Sequence, residues 1–84
     1  MSDNETYGMV TAVLVELHEA RQKFPPFNSA HEGWAVIAEE LDELWAVVRE
    51  KQSTPGRDAR LGREAIQVAA MAVRFLVDMP GMKN

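Results

Sequence analysis

Hydrophobic residues recur along the chain at the spacing of helices rather than of strands. In the first segment the apolar positions follow i, i+3, i+4 spacing. They are Met9, Val10, Val13, Leu14, Leu17 and Ala20. The run Phe24-Pro25-Pro26-Phe27 follows, and two prolines prevent the helix from continuing. The pattern predicts a first helix over about residues 5–22.

Caps and turn residues set the remaining boundaries. Ser29 followed by Glu32 is a capping box, which marks the start of a second helix. Pro55-Gly56 makes the next turn, and Asp58 is the expected cap of a third helix. No segment has the two-residue period of a strand. We therefore predict one all-α domain, residues 1–84, with helices over about residues 5–22, 30–51 and 59–78 and a frayed tail at 80–84.

The acidic residues of the second helix lie on a side that also carries apolar residues, so this side is not a simple solvent-exposed face. Its main apolar stripe consists of Trp34, Ile37, Ala38, Leu41, Leu44, Trp45 and Val48. Glu39, Glu40 and Glu43 lie on the opposite side. On that side, however, Val36 lies one turn before Glu40 and Val47 one turn after Glu43. We expect these acids to lie between apolar residues on a second, partly buried side.

Glu64 in the third helix occupies a position where a hydrophobic residue is expected. The stripe that contains it is Leu61, Glu64, Val68, Met71 and Phe75. A buried carboxylate costs several kcal/mol unless it has a partner or a metal. Arg60 or Arg63 can serve as that partner, and a position at the frayed helix start is another explanation. Several acids converging without buried lysine favour a hard cation such as Mg²⁺.

Composition narrows the class of protein. The chain has 84 residues, 46% of them hydrophobic, a net charge of −4 and no cysteine. An acidic protein is a poor candidate for binding duplex nucleic acid. Its apolar runs are too short for a membrane span, and residues 1–7 are too polar for a signal peptide. The expected location is therefore the cytoplasm.

Oligomerisation is expected from the same pattern. A chain this short buries only about 60% of its unfolded surface. The second and third helices each have two apolar sides, and three helices cannot cover them all. A second copy can complete a four-helix-bundle core around the three-helix protomer, as a homodimer or a homotetramer.

The acidic motif also resembles that of a known family. Glu39-Glu40-Leu41-Asp42-Glu43 is an E-E-x-x-E motif, and a spacer of 20 residues separates it from Glu64. This arrangement is similar to the MazG-like, all-α NTP pyrophosphatases, which carry ExxE, a spacer and ExxD. The approach to the second helix, from Lys23 through His31-Glu32, looks like that of short phage or mobile-element members. The resemblance covers about residues 23–78.

The resemblance implies an Mg²⁺-dependent hydrolysis of a nucleoside triphosphate to monophosphate and pyrophosphate, with Mn²⁺ as an alternative ion. It implies Glu40, Glu43 and Glu64 as metal ligands and Glu39 as a ligand or general base. Gln67 stands where the family has its last acid, and its carbonyl is a weaker ligand. The substrate-binding candidates are Lys23, Arg60 and Arg63 for phosphates and Trp34 for a base. For each, a surface or packing role is the alternative.

Three hypotheses remain open from the sequence. The first is the pyrophosphohydrolase. The second is a metal- or nucleotide-binding protein on the same scaffold, with catalysis weakened because Gln67 replaces an acid. The third is a helical interaction module whose acids are neutralised by arginines. The identity of the base and sugar is not encoded in any of these residues.

Overall fold

The computed structural model describes residues 1–83 and is all-helical. Its helices are α1 (Asp3–Lys23), α2 (Ala30–Val48) and α3 (Arg57–Asp78), followed by a 3₁₀ turn at Met79–Gly81. Residues 1–83 contain no β-strand, and their sole β-bridge joins Ser29 to Lys83. The predicted all-α class with three helices is confirmed.

Side-chain caps start the first two helices. The backbone N–H of Glu5 donates to the Ser2 hydroxyl (3.2 Å), and that of Glu32 donates to the Ser29 hydroxyl (3.1 Å). These bonds satisfy amides that have no partner inside the helix. The Glu32 side chain accepts from Asn28 (3.3 Å). The capping role predicted for Ser29 is therefore present.

The connection between α2 and α3 differs from the prediction. α2 ends at Val48, three residues early, and α3 begins at Arg57, two residues early. Gly56 precedes α3 with a left-handed φ of 75°, which glycine adopts without steric penalty. Asp58 therefore lies in the first turn of α3 and is not its cap. The Arg57 guanidinium donates to the Val48 carbonyl (3.0 Å) and so closes the end of α2.

The core lies where α3 packs against both α1 and α2. Its buried members are Leu17, Ala20, Ala70 and Met71, with Val13, Val36, Ile37 and Val73 packed around them. Ala70 is completely buried, and its small side chain lets the helices approach closely. Gly33 of α2 plays the same part, because a Cβ there would lie 2.6 Å from the Phe75 ring.

A buried ion pair ties the Phe24–Phe27 connector to α3. Arg74 and Asp78 are each more than nine-tenths buried, and the Arg74 Nε lies 3.8 Å from the Asp78 carboxylate. Asp78 also accepts from the Phe27 backbone N–H (3.0 Å), and Arg74 donates to the Pro25 carbonyl (3.0 Å). The guanidinium lies over the Phe27 ring at 3.9 Å. Both charges belong to the narrow polar edge of α3, and the connector buries this part of the edge.

The segment after α3 is attached rather than frayed. The Lys83 backbone N–H donates to the Asn28 carbonyl (2.8 Å), and its carbonyl accepts from Ala30 (3.0 Å). The predicted fraying is therefore wrong for Lys83, which has backbone partners at the start of α2, and for Met82, whose backbone N–H donates to the Met79 carbonyl (3.1 Å). Residue 84 lies outside the described residues.

Much of the main apolar stripe of α2 is exposed, although Ile37 of that stripe packs against the protomer core. Trp34 is 68% exposed and Trp45 57% exposed, and Leu41 is about half exposed. The opposite side, with Val36 and Val47, is the one that packs inward. Among residues 1–83 no large side chain is fully buried. The protomer is also elongated, with a radius of gyration of 14.2 Å where a compact chain of this length has about 12 Å.

A search for membrane-spanning helices among the described residues was negative. None of the helices in residues 1–83 combines the length and the apolar character that a membrane span requires.

Candidate metal centre

Three glutamates meet between α2 and α3. Glu40 and Glu43 are one turn apart on α2, and Glu64 lies near the start of α3. Each offers a carboxylate oxygen, and these oxygens lie within 4.8 Å of one another. The inward packing of Val36 and Val47 turns this side of α2 towards α3. We call Glu40, Glu43 and Glu64 the carboxylate triad.

Glu40 is the member of the triad most affected by burial. Glu40 and Glu64 are half-buried, whereas Glu43 is exposed. Glu40 Oε2 is inaccessible to solvent and has no hydrogen-bond partner among residues 1–83. A carboxylate oxygen left in that state costs about 1–3 kcal/mol or more. The centre therefore contains an acceptor that folding alone does not satisfy.

No arginine or lysine neutralises the triad within residues 1–83. The two ion pairs of that range join Arg60 to Glu50 and Arg74 to Asp78. Glu64 pairs with neither Arg60 nor Arg63, although the sequence left both pairings open. The hypothesis that arginines fix these acids has no support from contacts inside the described protomer.

The mutual repulsion of the carboxylates changes the acidity of Glu40. Its pKa rises from 4.5 to about 7, first because burial disfavours the charged form, then because of the Glu43 carboxylate. A hydrogen bond to Glu43 and the charges of Glu64 and Glu39 raise it further. The charged form of Glu40 is therefore disfavoured in the absence of a cation, and its pKa lies well above that of an exposed glutamate.

The donor set fits a hard divalent cation. Three carboxylates supply oxygen ligands, and no histidine or cysteine belongs to the cluster. Mg²⁺ and Mn²⁺ prefer oxygen, and Mg²⁺ binds through a few carboxylates while it keeps several waters. A bound cation would also give Glu40 Oε2 the partner that it lacks. The fit rests on that unpartnered oxygen and on the chemistry of the ligands.

Glu39, Lys23 and Trp34 lie outside the triad. Glu39 is exposed and precedes Glu40 by one residue, so it acts on Glu40 through charge. Lys23 is exposed at the last residue of α1. Trp34 lines an open apolar groove of about 620 Å³ with Ile37, Phe75 and Leu76. None of these positions assigns a contact with a nucleotide.

The two arginine candidates have different surroundings. Arg60 makes a bidentate ion pair with Glu50, one arm of which measures 2.7 Å. This pairing holds the pKa of Glu50 below its usual value. Arg63 is exposed and lines the groove between α1 and α3. Arg60 must therefore leave a partner before it binds a phosphate, whereas Arg63 carries no ion pair within residues 1–83.

Gln67 is tied to α1. Its side-chain Nε2 donates to the Glu16 carboxylate at 2.6 Å, and both residues are half-buried. The family resemblance implied Gln67 as a ligand beside the triad, and nothing in the sequence pattern identified Glu16 as its partner. A signal was present, because Glu16 lies one turn from Val13 and from Ala20 on the side of α1 that packs inward. Its contact with a residue of α3, however, cannot be read from helical periodicity.

The comparisons with known proteins do not assign a family. A scan against protein-family models, a search of curated proteins and a search of solved structures each found no match to this chain. The MazG-like resemblance therefore stays a prediction carried by the acidic motif.

Proposed function

We propose that this protein is an Mg²⁺-dependent nucleoside triphosphate pyrophosphohydrolase. The observation that carries the proposal is the carboxylate triad, whose oxygens lie within 4.8 Å with Glu40 Oε2 unpartnered among residues 1–83. A cluster of like charges this close is unfavourable unless protons or a cation neutralise it. Its ligands match those of magnesium centres that act on phosphates.

The four acids divide into three metal ligands and one proton acceptor in the proposed reaction. Glu40, Glu43 and Glu64 would hold the ion, and a bound Mg²⁺ supplies positive charge to phosphate oxygens and acidifies water. Glu39 is exposed beside Glu40 and is free to accept a proton from the attacking water. Attack of the water oxygen on the α-phosphorus would break the bond from that phosphorus to the α–β bridging oxygen, so that pyrophosphate leaves and the monophosphate remains.

The outer phosphates need positive charge from elsewhere in the chain. Arg63 is exposed, and its guanidinium makes no ion pair within residues 1–83. Lys23 is also exposed. Arg60 can contribute after it exchanges Glu50 for a phosphate. Trp34 offers an exposed ring on which a base can stack in the protomer, and packing between subunits is the alternative role of the same ring.

The proposal includes a homo-oligomer. The outward stripe of α2 exposes the large apolar side chains of Trp34, Leu41 and Trp45. Exposed apolar side chains grouped in this way mark interaction surfaces. A second copy packed on this stripe would complete a four-helix core and bury both tryptophans. A homodimer is the smallest assembly that does so, and a homotetramer is the next.

A metal- or nucleotide-binding protein without turnover is the alternative. The specific observation in its favour is that Gln67 points its amide nitrogen at Glu16 and adds no charge to the centre. A site with three carboxylates binds a divalent cation more weakly than a site with four. Binding without hydrolysis is the expected behaviour if that weaker centre does not position the water.

The test is to incubate the protein with a panel of NTPs and dNTPs in Mg²⁺ or Mn²⁺ and to measure pyrophosphate. The proposal expects release that depends on the metal and disappears in Glu40→Gln. Asp42→Asn is the matched control, because Asp42 is an exposed acid on the same helix outside the triad. It should leave the rate within about twofold.

Each result separates the hypotheses. Metal-dependent thermal stabilisation without pyrophosphate release supports the binding protein and contradicts the enzyme. No response to metal or nucleotide contradicts both and leaves a helical interaction module. Release that survives in Glu40→Gln would place the chemistry elsewhere in the chain.

A further inference from the structure

One polar contact joins α1 to the helix that carries Glu64. Gln67 lies one turn beyond Glu64 on α3, which places it about 4.5 Å further along the axis and roughly 60° around it. Its Nε2 donates to Glu16 of α1 at 2.6 Å. The triad faces α2 and the Glu16 contact faces α1. Gln67 therefore stands at the α1 edge of the metal centre.

The chemistry of the two groups fixes the orientation of the amide. A carboxylate accepts hydrogen bonds and does not donate them, so the NH₂ end of Gln67 must face Glu16. The carbonyl oxygen, at the other end of the amide, is consequently turned away from Glu16. Without Glu16 the amide is free to present either end. Because Glu16 holds the NH₂ end of the Gln67 amide in a half-buried position, the carbonyl oxygen is the end that faces away from Glu16 and is available as a ligand.

We propose that Glu16 is a positioning residue for the metal centre. By holding the amide nitrogen of Gln67, it presents the Gln67 carbonyl oxygen as a neutral ligand to the ion or to one of the ion's waters. This inference rests on the proposed function, because it needs the triad to bind a cation. It gives α1 a part in a centre that otherwise belongs to α2 and α3.

The test measures the affinity for Mn²⁺, without nucleotide, by calorimetric titration. The temperature is one at which circular dichroism shows that each variant is folded. Glu16→Ala frees the amide and should weaken Mn²⁺ binding roughly 3- to 10-fold. The exchanged pair Glu16→Gln with Gln67→Glu keeps a hydrogen bond between the helices and the total charge. It should bind Mn²⁺ roughly 3- to 10-fold more tightly than the wild type, since an anionic oxygen replaces the carbonyl.

Two further arms make the outcome decisive. Glu19→Ala removes an exposed acid from the same helix and should change the affinity less than twofold. A merely structural contact predicts that the exchanged pair binds like the wild type, since the bond between helices is retained. An unchanged affinity in Glu16→Ala, or an exchanged pair that binds no more tightly than the wild type, overturns the inference alone. A wild-type protein that binds no Mn²⁺ overturns the proposed function itself.

Discussion

Replacing Glu40 with glutamine should make the metal-free protein more stable. Glutamine keeps the shape of the side chain and removes the charge that burial and the Glu43 and Glu64 carboxylates oppose. Its amide can donate to Glu43, as the protonated Glu40 carboxyl does. A substitution at the heart of a functional site is expected to stabilise the fold only if that site stores unfavourable charge.

The size of the effect follows from the acidity of Glu40. Each pKa unit corresponds to about 1.4 kcal/mol, so the rise from 4.5 to about 7 amounts to about 3 kcal/mol. Glu40 is only partly buried and Glu43 is exposed, and solvent screening reduces this to about 2 kcal/mol. In a domain of this length, that free energy raises the midpoint of thermal unfolding by roughly 10 °C.

The assay is thermal unfolding in EDTA between pH 4.5 and 8, followed by circular dichroism. Because the folded state holds the Glu40 proton more tightly than the unfolded state, the wild type should lose stability as the pH rises from 4.5 to about 7. Above pH 7 the contribution of Glu40 to the free energy of unfolding no longer changes with pH. Glu40→Gln should lack this loss, and the difference between the two proteins isolates the one carboxyl.

A second measurement adds Mg²⁺ or Mn²⁺. The wild type should gain stability with metal, and Glu40→Gln should gain little, since it has lost a ligand. Asp42→Asn should behave as the wild type in both media. The reasoning is refuted if Glu40→Gln is less stable than the wild type in EDTA at pH 7, or if the difference does not vary with pH.

Three predictions concern the fold itself. Gly33→Ala puts a methyl group 2.6 Å from the Phe75 ring and should lower the free energy of unfolding by about 1–3 kcal/mol in a urea titration, whereas Gly62→Ala has open space and should not destabilise. Asp78→Ala removes the carboxylate partner of the buried Arg74 guanidinium and of the Phe27 amide, and should lower the free energy of unfolding by about 3 kcal/mol or more. A much smaller loss would show that the ion pair is open in solution. Trp45→Glu places a charge on the outward stripe of α2 and should lower the mass measured by light scattering; an unchanged mass would move the interface elsewhere.

The approach of the triad was predictable from the sequence because it depends on local periodicity. Helical spacing puts Glu40 and Glu43 on one side of α2, and the valines one turn before and after them indicate that this side is half-buried. Glu64 interrupts an apolar stripe of α3 in the same way. The prediction needed only that the two helices pack together, which their apolar sides favour.

The contacts that the sequence did not predict depend on distant segments. The Arg74–Asp78 pair is buried because the connector of α1 and α2 folds over it and supplies the Phe27 amide. Gln67 meets Glu16 across two helices. Periodicity also identified the Trp34 stripe as the main apolar side of α2, but counting apolar residues does not say whether the core or a second subunit covers them.

The central claim is that the carboxylate triad binds a divalent cation. Crystals grown with Mn²⁺ and measured at its absorption edge locate the ion independently of any assay of activity. We expect an anomalous peak bonded to oxygens of Glu40, Glu43 and Glu64, at about 2.1 Å. Glutamates that turn apart towards solvent in the presence of saturating Mn²⁺, with no peak between them, would contradict it.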